Sequence, residues 1–444
     1  VITRLLHRRA EIGLAAAILL GVALRFIWPA DMEFKRDEMF LYHHATGPHP
    51  FPWLGQGSGV GTVNAGMGIW VYSLMAKAIH LVTAHVTPIQ LVHGVMALNV
   101  IALVGLAAFA VCVVPGRQRE PWLWAAALVA VNPLAVLFSR KLWIQSALPP
   151  FVMAALLAWW HRRHRAGAFG WGLIGAWLGQ IHLTGFFFAA GLAAWTALFE
   201  RRSVRWRWWL FGSLLGALTL VPWLTHTLSH PGAAKQSLDS LWPPHFWIFW
   251  VSNTLGLSLL SLPVVGSPQG FHHGLLAWPS IGGSSLYLVT IMVGVISAVA
   301  VAIAIQAVVL GLWPRRHRLH WLLAGRGSDT GLAVSAAFWG FGLLLTATGE
   351  LIYRHYLIVA YALPFVFLAL AALVHPRHGR ILLTVLVLSQ AALSVLYLDY
   401  VHVRGRAVGG DYGVPYDRQT HAARRREAGR LLEQPPTWHY SPAA

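Results

Sequence analysis

Asp31, Glu33, Asp37 and Glu38 gather four of the chain's 15 carboxylates into residues 31–38, directly after the first long apolar stretch, residues 10–29. A carboxylate at a hydrocarbon boundary is costly to desolvate, so acids clustered there are read as a site. Lys35 and Arg36 stand beside Asp37 and Glu38. The bland alternative is a solvated loop whose bases neutralise its acids and contribute little.

Two cationic groups and one polar break complete the candidate chemistry. Arg140 and Lys141 follow an apolar run, and Gln145, four residues on, would share a helix face with Lys141. That pair suits a phosphate, or equally a helix end snorkelling to headgroups. Arg354-His355-Tyr356 opens a later apolar stretch on the side where positive charge is disfavoured, with Glu350 as a local ion-pair alternative. His182 and Thr184 interrupt a long apolar region, and a core histidine held by a carbonyl is as good a reading as a ligand.

A carboxylate at an external membrane surface, reached by cations from distant segments, matches group transfer from a lipid-phosphate-linked sugar. Asp37 would take the proton of an acceptor hydroxyl as it attacks the anomeric carbon. The lipid phosphate is a good leaving group that needs positive charge and no general acid, a task suited to the planar fork of Arg. No His, Cys or carboxylate spacing fits a zincin or EF-hand, so no metal site is read and no cofactor is required.

These residues need a scaffold, and composition says which kind. With 57% hydrophobic residues, 11% charged residues and a mean hydropathy of +0.58, the chain is a polytopic all-α membrane protein. About ten to twelve membrane segments are expected, near 10–29, 66–82, 90–114, 122–138, 143–160, 170–182, 184–199, 209–224, 286–312, 330–348, 355–374 and 380–398. The first is read as a retained helix rather than a leader. The net charge of +18 resides mostly in short basic clusters between apolar runs, as positive-inside topology requires, and calls for no nucleic acid.

Basic clusters at 161–165, 201–207, 315–326 and 377–380 assign the cytoplasmic side, which leaves the acidic segment and the loops 30–65 and 225–285 outside. Counting crossings then fails unless something within 50–114 re-enters or lies flat. The short limbs 170–182 and 184–199 read as a hairpin broken at Gln180–Thr184, which with Pro149-Pro150 should line the cavity. The Gly-rich string 55–68 has no phosphate-cradle pattern and reads as a flexible loop. The Trp- and Phe-rich stretch 246–262 is expected in the membrane interface. Cys112, the sole cysteine, lies in an apolar run expected to be buried. The domain reading is one transmembrane unit, 1–398, and a polar Arg-rich tail, 399–444, with no internal repeat.

Several strings together resemble a GT-C superfamily glycosyltransferase, of the bacterial branch of dolichyl-phosphate-mannose protein mannosyltransferases. Ala23-Leu24-Arg25-Phe26, then Arg36-Asp37-Glu38 and Phe40-Leu41-Tyr42, is similar to the family's Asp-Glu motif in its first external loop. Asn132-Pro133 leading to Phe138-Ser139-Arg140 resembles the next signature, Gln180–Thr184 a short-helix region, and Arg354-His355-Tyr356-Leu357 a late Arg-Tyr-Leu segment. The resemblance spans about 12–375 and implies a GT-C transmembrane fold with external interfacial helices. It implies Asp37 as catalytic base with Glu38 its neighbour in the motif, and Arg140, Lys141, Arg354 and Tyr356 on the donor phosphate. Arg36, Gln145, His182, Thr184 and His355 would line the cavity.

Implied partners are a polyprenyl-phosphate sugar, a glycan, lipid or protein acceptor, and membrane lipids, in a bacterial cytoplasmic membrane with the site facing outward. Some members carry a further acid after the Ser-Arg signature. Residues 141–150 contain none, which leaves a second catalytic carboxylate or a divalent metal without support. Two rivals stand: a secondary transporter or lipid flippase coupled through Asp37 or Glu38, and a non-catalytic subunit presenting its loops to a partner.

Overall fold

The computed structural model describes residues 2–57, 63–230, 244–260, 273–312, 327–405 and 415–421. The basic cluster 315–326, the centre of the Gly-rich string, parts of the 225–285 loop and most of the tail lie outside the described residues. Helices dominate what is described. The chain begins with α1 (Ile2–Phe26), the short α2 (Arg36–Thr46), a hairpin of β1 (Leu54–Gly57) and β2 (Val63–Ala65), and then α3 (Met67–His80). Next come α4 (Pro88–Cys112), α5 (Gly116–Val131), α6 (Pro133–Phe138), α7 (Leu148–Trp160), α8 (Arg165–Ile181) and α9 (Thr184–Glu200). The second half holds α10 (Trp206–Ala217), α11 (Val221–Ser229), α12 (His245–Thr254), α13 (His273–Leu276) and α14 (Leu288–Gln306). It ends with α15 (Asp329–Ser335), α16 (Gly342–Thr346), α17 (Leu363–Ala372) and α18 (Pro376–Arg404).

Five helical stretches are long and apolar enough to cross a membrane: Pro88–Cys112, Trp206–Ser229, Leu288–Gly311, Asp329–Thr346 and Pro376–Arg404. Counting the pair Arg354–Ala360 and Leu363–Ala372, bent by 82°, as one span gives six. The expected ten to twelve segments are not met by that count. Helices do form at 116–131, 148–160, 165–181 and 184–200, but they are 13 to 17 residues long. At 1.5 Å per residue they reach about 20 to 26 Å, short of the roughly 30 Å of hydrocarbon. The several apolar helices nonetheless make this a multi-pass membrane protein.

Close backbone approach holds the bundle together. Gly21 of α1 lies so near α5 that a Cβ there would come within 2.5 Å of the Ala130 carbonyl oxygen. At the same crossing the buried Arg25 donates to Gly21 O (2.8 Å) on its own helix and to Ala130 O (2.7 Å) and Val129 O (3.0 Å), satisfying carbonyls at the end of α5. Gly191 of α9 meets the π-helical segment Ala336–Phe341 in the same way, with 2.5 Å between a built Cβ and Phe341 N. Small residues let helices touch where hydrocarbon provides no hydrophobic drive.

α3 packs along α2. Its start packs beside Ile144 and Ile181 at Gly68. Its far end, Lys77 and His80, shares a cleft with Tyr42 and Thr46 of α2, and Tyr42 donates 2.7 Å to Val86 O just before α4. At 14 residues α3 reaches about 21 Å, short of the roughly 30 Å of hydrocarbon.

Two further expectations are corrected, the burial of Cys112 and the flexible-loop reading of the Gly-rich string. Phe246 and Trp250 of α12 are fully buried against Phe341, Phe338 and Phe367, because the irregular segment 336–341 presents a ring-lined wall. Cys112 is exposed, since α4 turns that face outward. The flanks of the Gly-rich string pair as a hairpin, Leu54 opposite Ala65 and Gly57 opposite Val63, rather than as a structureless loop.

Candidate functional site

The acidic segment divides into a buried part and an open part. Glu33 and Glu38 are 0% exposed, and Lys141, 1% exposed, reaches between them. Its ammonium contacts Glu33 Oε2 closely and lies 3.6 Å from Glu38 Oε1, while Lys35 Nζ sits 3.0 Å from Glu33 Oε1. A solvated loop is thereby ruled out for these two acids. Glu38 also closes the first turn of α2, accepting from Lys35 N at 3.1 Å, a favourable place for a carboxylate at a helix N-terminus. Burial pushes the Glu38 carboxyl from 4.5 up to about 7, with Lys141 opposing the rise and Glu33 adding to it. Glu33 has the closer hold on Lys141.

Asp37, one position earlier on α2, points the other way. It lines a cleft of about 100 Å³ and accepts 2.8 Å from Gln56 Nε2. Gln56 is itself positioned by the hairpin, where Asn64 Nδ2 donates to its carbonyl at 2.9 Å. Asn64, Trp143, Gln145, His182 and His355 form the other polar walls, with Leu41, Leu142 and Ile144 between them. Gln145 Nε2 is 3.0 Å from His182 Nε2, and His182 Nδ1 is 2.7 Å from Thr184 Oγ1. The break between α8 and α9 thus turns an imidazole toward the cleft. Trp143 joins the two halves of the site: Lys141 Nζ lies 3.5 Å from its ring centroid and the His355 ring packs edge-on at 5.1 Å.

The cations are placed differently from one another. Arg140 donates to Leu24 O and Trp28 O, each at 2.8 Å, closing the end of α1, and does not line the cleft. Lys141 and Gln145 do not share a helix face. Residues 139–140 form a turn, 141–143 are irregular and 144–147 a 3₁₀ segment, so Lys141 goes to the carboxylates and Gln145 to His182. Arg354 begins a 3₁₀ segment, Arg354–Ala360, donates to Ser258 O, and accepts 2.8 Å at its own carbonyl from Asn253. Tyr356 packs its ring 5.7 Å from that of His182, and Arg354 and Tyr356, like Arg140, flank the cleft without lining it. Arg36 is exposed.

That 3₁₀ segment separates two cavities. His355 lines the Asp37 cleft, whereas Leu357 and Ile358 line a second, mostly apolar cavity of about 70 Å³ with Phe138, Pro149, Tyr361 and Phe365. Pro149 therefore borders the apolar cavity and not the acidic cleft. Asn132 of the Asn-Pro string sits at its edge and caps α6 through Leu134 N (3.1 Å) and Ala135 N (3.0 Å). Its amide donates to Asn253 O and Thr254 O, tying α12 to the site.

Part of the tail returns to the acidic loop. Tyr416 N donates 2.8 Å to Met32 O, Pro415 bridges Glu33, and the Tyr416 ring meets Phe34 edge-on at 5.2 Å. His402, near the end of α18, stacks on Trp28 and lies 2.8 Å from Asp31 Oδ2. Residues 415–421 hence lie on the same side of the bundle as Asp37.

Sequence reasoning missed Gln56, Asn64 and Trp143 as site residues. Gln56 and Asn64 are the only side-chain amides in 55–68, the one signal that marked them. Among the described residues, no three His, Cys, Asp or Glu side chains converge as a metal site.

No family model and no curated protein matches the chain. Two solved structures are similar to it, both of an oligosaccharyltransferase from Archaeoglobus fulgidus. One is its AglB in complex with an inhibitory peptide and a dolichol-phosphate, at a TM-score of 0.43. The other is the apo form, at 0.42. Each alignment has 13% sequence identity and covers 98% of this chain, and the chain spans 61% of the length of those proteins.

Proposed function

We propose that the protein is an inverting glycosyltransferase that moves a sugar from a polyprenyl-phosphate donor to an acceptor hydroxyl on the external side of a bacterial cytoplasmic membrane. The observation that carries this reading is the division of labour among the acids. Glu33 and Glu38 are committed to Lys141, and Asp37 alone of the cluster lines the cleft, oriented by Gln56.

In the proposed reaction Asp37 takes the acceptor hydroxyl proton while the acceptor oxygen bonds to the anomeric carbon. The bond from that carbon to the phosphate oxygen breaks on the opposite face, and the lipid phosphate leaves with the electron pair. The 3₁₀ segment Arg354–Ala360 supports the donor placement, since it faces a polar cleft at His355 and an apolar cavity at Leu357. A ligand with a sugar-phosphate head and an isoprenoid tail matches that junction. We assign the phosphate to Arg354 and Tyr356, and assign Arg140 and Lys141 to holding the scaffold. No metal or other cofactor is invoked. The sugar and the acceptor would be chosen by Gln56, Asn64, Gln145 and His182.

The rival with an observation of its own is proton-coupled transport, because burial brings Glu38 to about 7. Its position argues against that role: Glu38 is on α2, after the end of α1, rather than near a midplane between related halves.

The deciding experiment compares wild type with Asp37→Asn in nanodiscs, supplied with a panel of polyprenyl-phosphate sugars and membrane extract, following donor consumption by mass spectrometry. Wild type should consume one donor, and the variant should lose roughly 10²- to 10⁴-fold in rate. Turnover of Asp37→Asn at the native rate would remove Asp37 as base. No donor consumed by wild type would favour transport.

A further inference from the structure

At the end of the bundle opposite Asp37, α9 closes on a short 3₁₀ turn, Arg201–Ser203, before α10. A pocket of about 450 Å³ opens there, lined by Arg163, Arg201, Arg202 and Ser203 together with Leu198 and Phe199. Glu200, the one acid in its wall, is engaged elsewhere: it pairs with the fully buried Arg162 and accepts 3.0 Å from Ser203 Oγ. Arg163 lies 3.9 Å from it and is 61% exposed, and Arg201 and Arg202 are exposed.

The turn is held rigid from several directions. Trp206 Nε1 donates 2.8 Å to Arg201 O, Ser203 Oγ donates 2.9 Å to Glu200 O, and Arg205 Nε donates 3.2 Å to Arg163 O. Arg162 also pairs with Asp329, fixing the α7–α8 turn to the start of α15. Topology alone requires basic residues at this boundary, which any solvated turn would satisfy. It does not require three guanidinium side chains around a braced concavity.

The apolar wall identifies the source of the anion. Leu198 is 69% exposed, and the neighbouring α10 leads into Trp206–Ser229, a stretch long enough to cross a membrane with few of its residues covered by protein. Trp208, Leu210 and Phe211 are exposed on it. A soluble phosphate has no use for that wall, whereas a phospholipid presents phosphate and acyl chain together. We propose that the pocket between the α7–α8 turn and Arg201–Ser203 binds the headgroup phosphate of an anionic phospholipid, with its chains along Leu198 and Phe199.

The test uses the full chain, delipidated in detergent, with phosphatidylglycerol, phosphatidylcholine and inorganic phosphate as probes, counting retained lipid by native mass spectrometry. Wild type should retain phosphatidylglycerol over phosphatidylcholine. Arg201→Ala with Arg202→Ala should weaken phosphatidylglycerol by roughly thirtyfold, about fivefold per basic side chain at a membrane surface, with the melting temperature unchanged. The double Lys variant should keep most of the affinity. Should the Ala pair fail to fold, Leu198→Glu, at an exposed position, should repel the same lipid. Equal retention of the two lipids, unchanged binding in the folded variants, or displacement by millimolar inorganic phosphate would overturn the proposal, the last by revealing a soluble-anion site.

Discussion

Lys141 lies 3.6 Å from Glu38 while contacting Glu33 closely, so one ammonium from the α6–α7 connection holds two carboxylates of the acidic segment 31–38. All three side chains are excluded from solvent, which makes the contact a joint between distant parts of the chain. Asp37 is aimed at the cleft because its neighbour Glu38 is fixed from behind.

Replacing Lys141 by Met should leave the buried Glu38 without its counter-charge and Glu33 with Lys35 alone, and cost on the order of 3 to 5 kcal/mol. A fall in thermal stability matched by loss of turnover is expected. A Lys141→Met protein melting like wild type would deny the joint its structural role.

Glu38 should make stability depend on pH with a definite sign. Its folded value, raised by burial to about 7, exceeds its ordinary 4.5, so the folded state binds the proton more tightly. The contribution is complete below about 4.5 and is lost as pH rises through about 7, on the order of 3 kcal/mol in total. Melting temperatures from pH 5 to 8 should decline for wild type and flatten for Glu38→Gln.

Arg140→Ala should uncap two carbonyls at the end of α1, with a cost of roughly 1.5 to 3 kcal/mol for each hydrogen bond to a charged group. The fraction that remains folded should bind donor with native affinity. A Kd raised tenfold at unchanged melting temperature would return Arg140 to the phosphate.

Gln56→Ala should release Asp37 from its 2.8 Å partner while leaving the bundle intact. Turnover should fall roughly 10- to 100-fold, the equivalent of one charged hydrogen bond, with little change in melting temperature. Native turnover in this variant would show that the amide does not orient the carboxylate.

Apolar run length and the placement of basic turns are local properties, which is why the helical membrane class, most helix positions and the break near His182 could be read directly from the chain. The acidic cluster was legible for the same reason, since Asp31, Glu33, Asp37 and Glu38 are near neighbours in sequence.

What tertiary structure decided is the role of each charge. Asp37 and Glu38 are adjacent in sequence and both acidic, and only the arrival of Lys141 from 103 residues away separates them into an open acid and a buried one. Arg140 and Arg354 are likewise equivalent as letters; the first closes α1, while the second heads a turn between a polar cleft and an apolar cavity. Periodicity reports which residues avoid water, but a charge takes its function from the partner that meets it, and that partner is set by how helices pack.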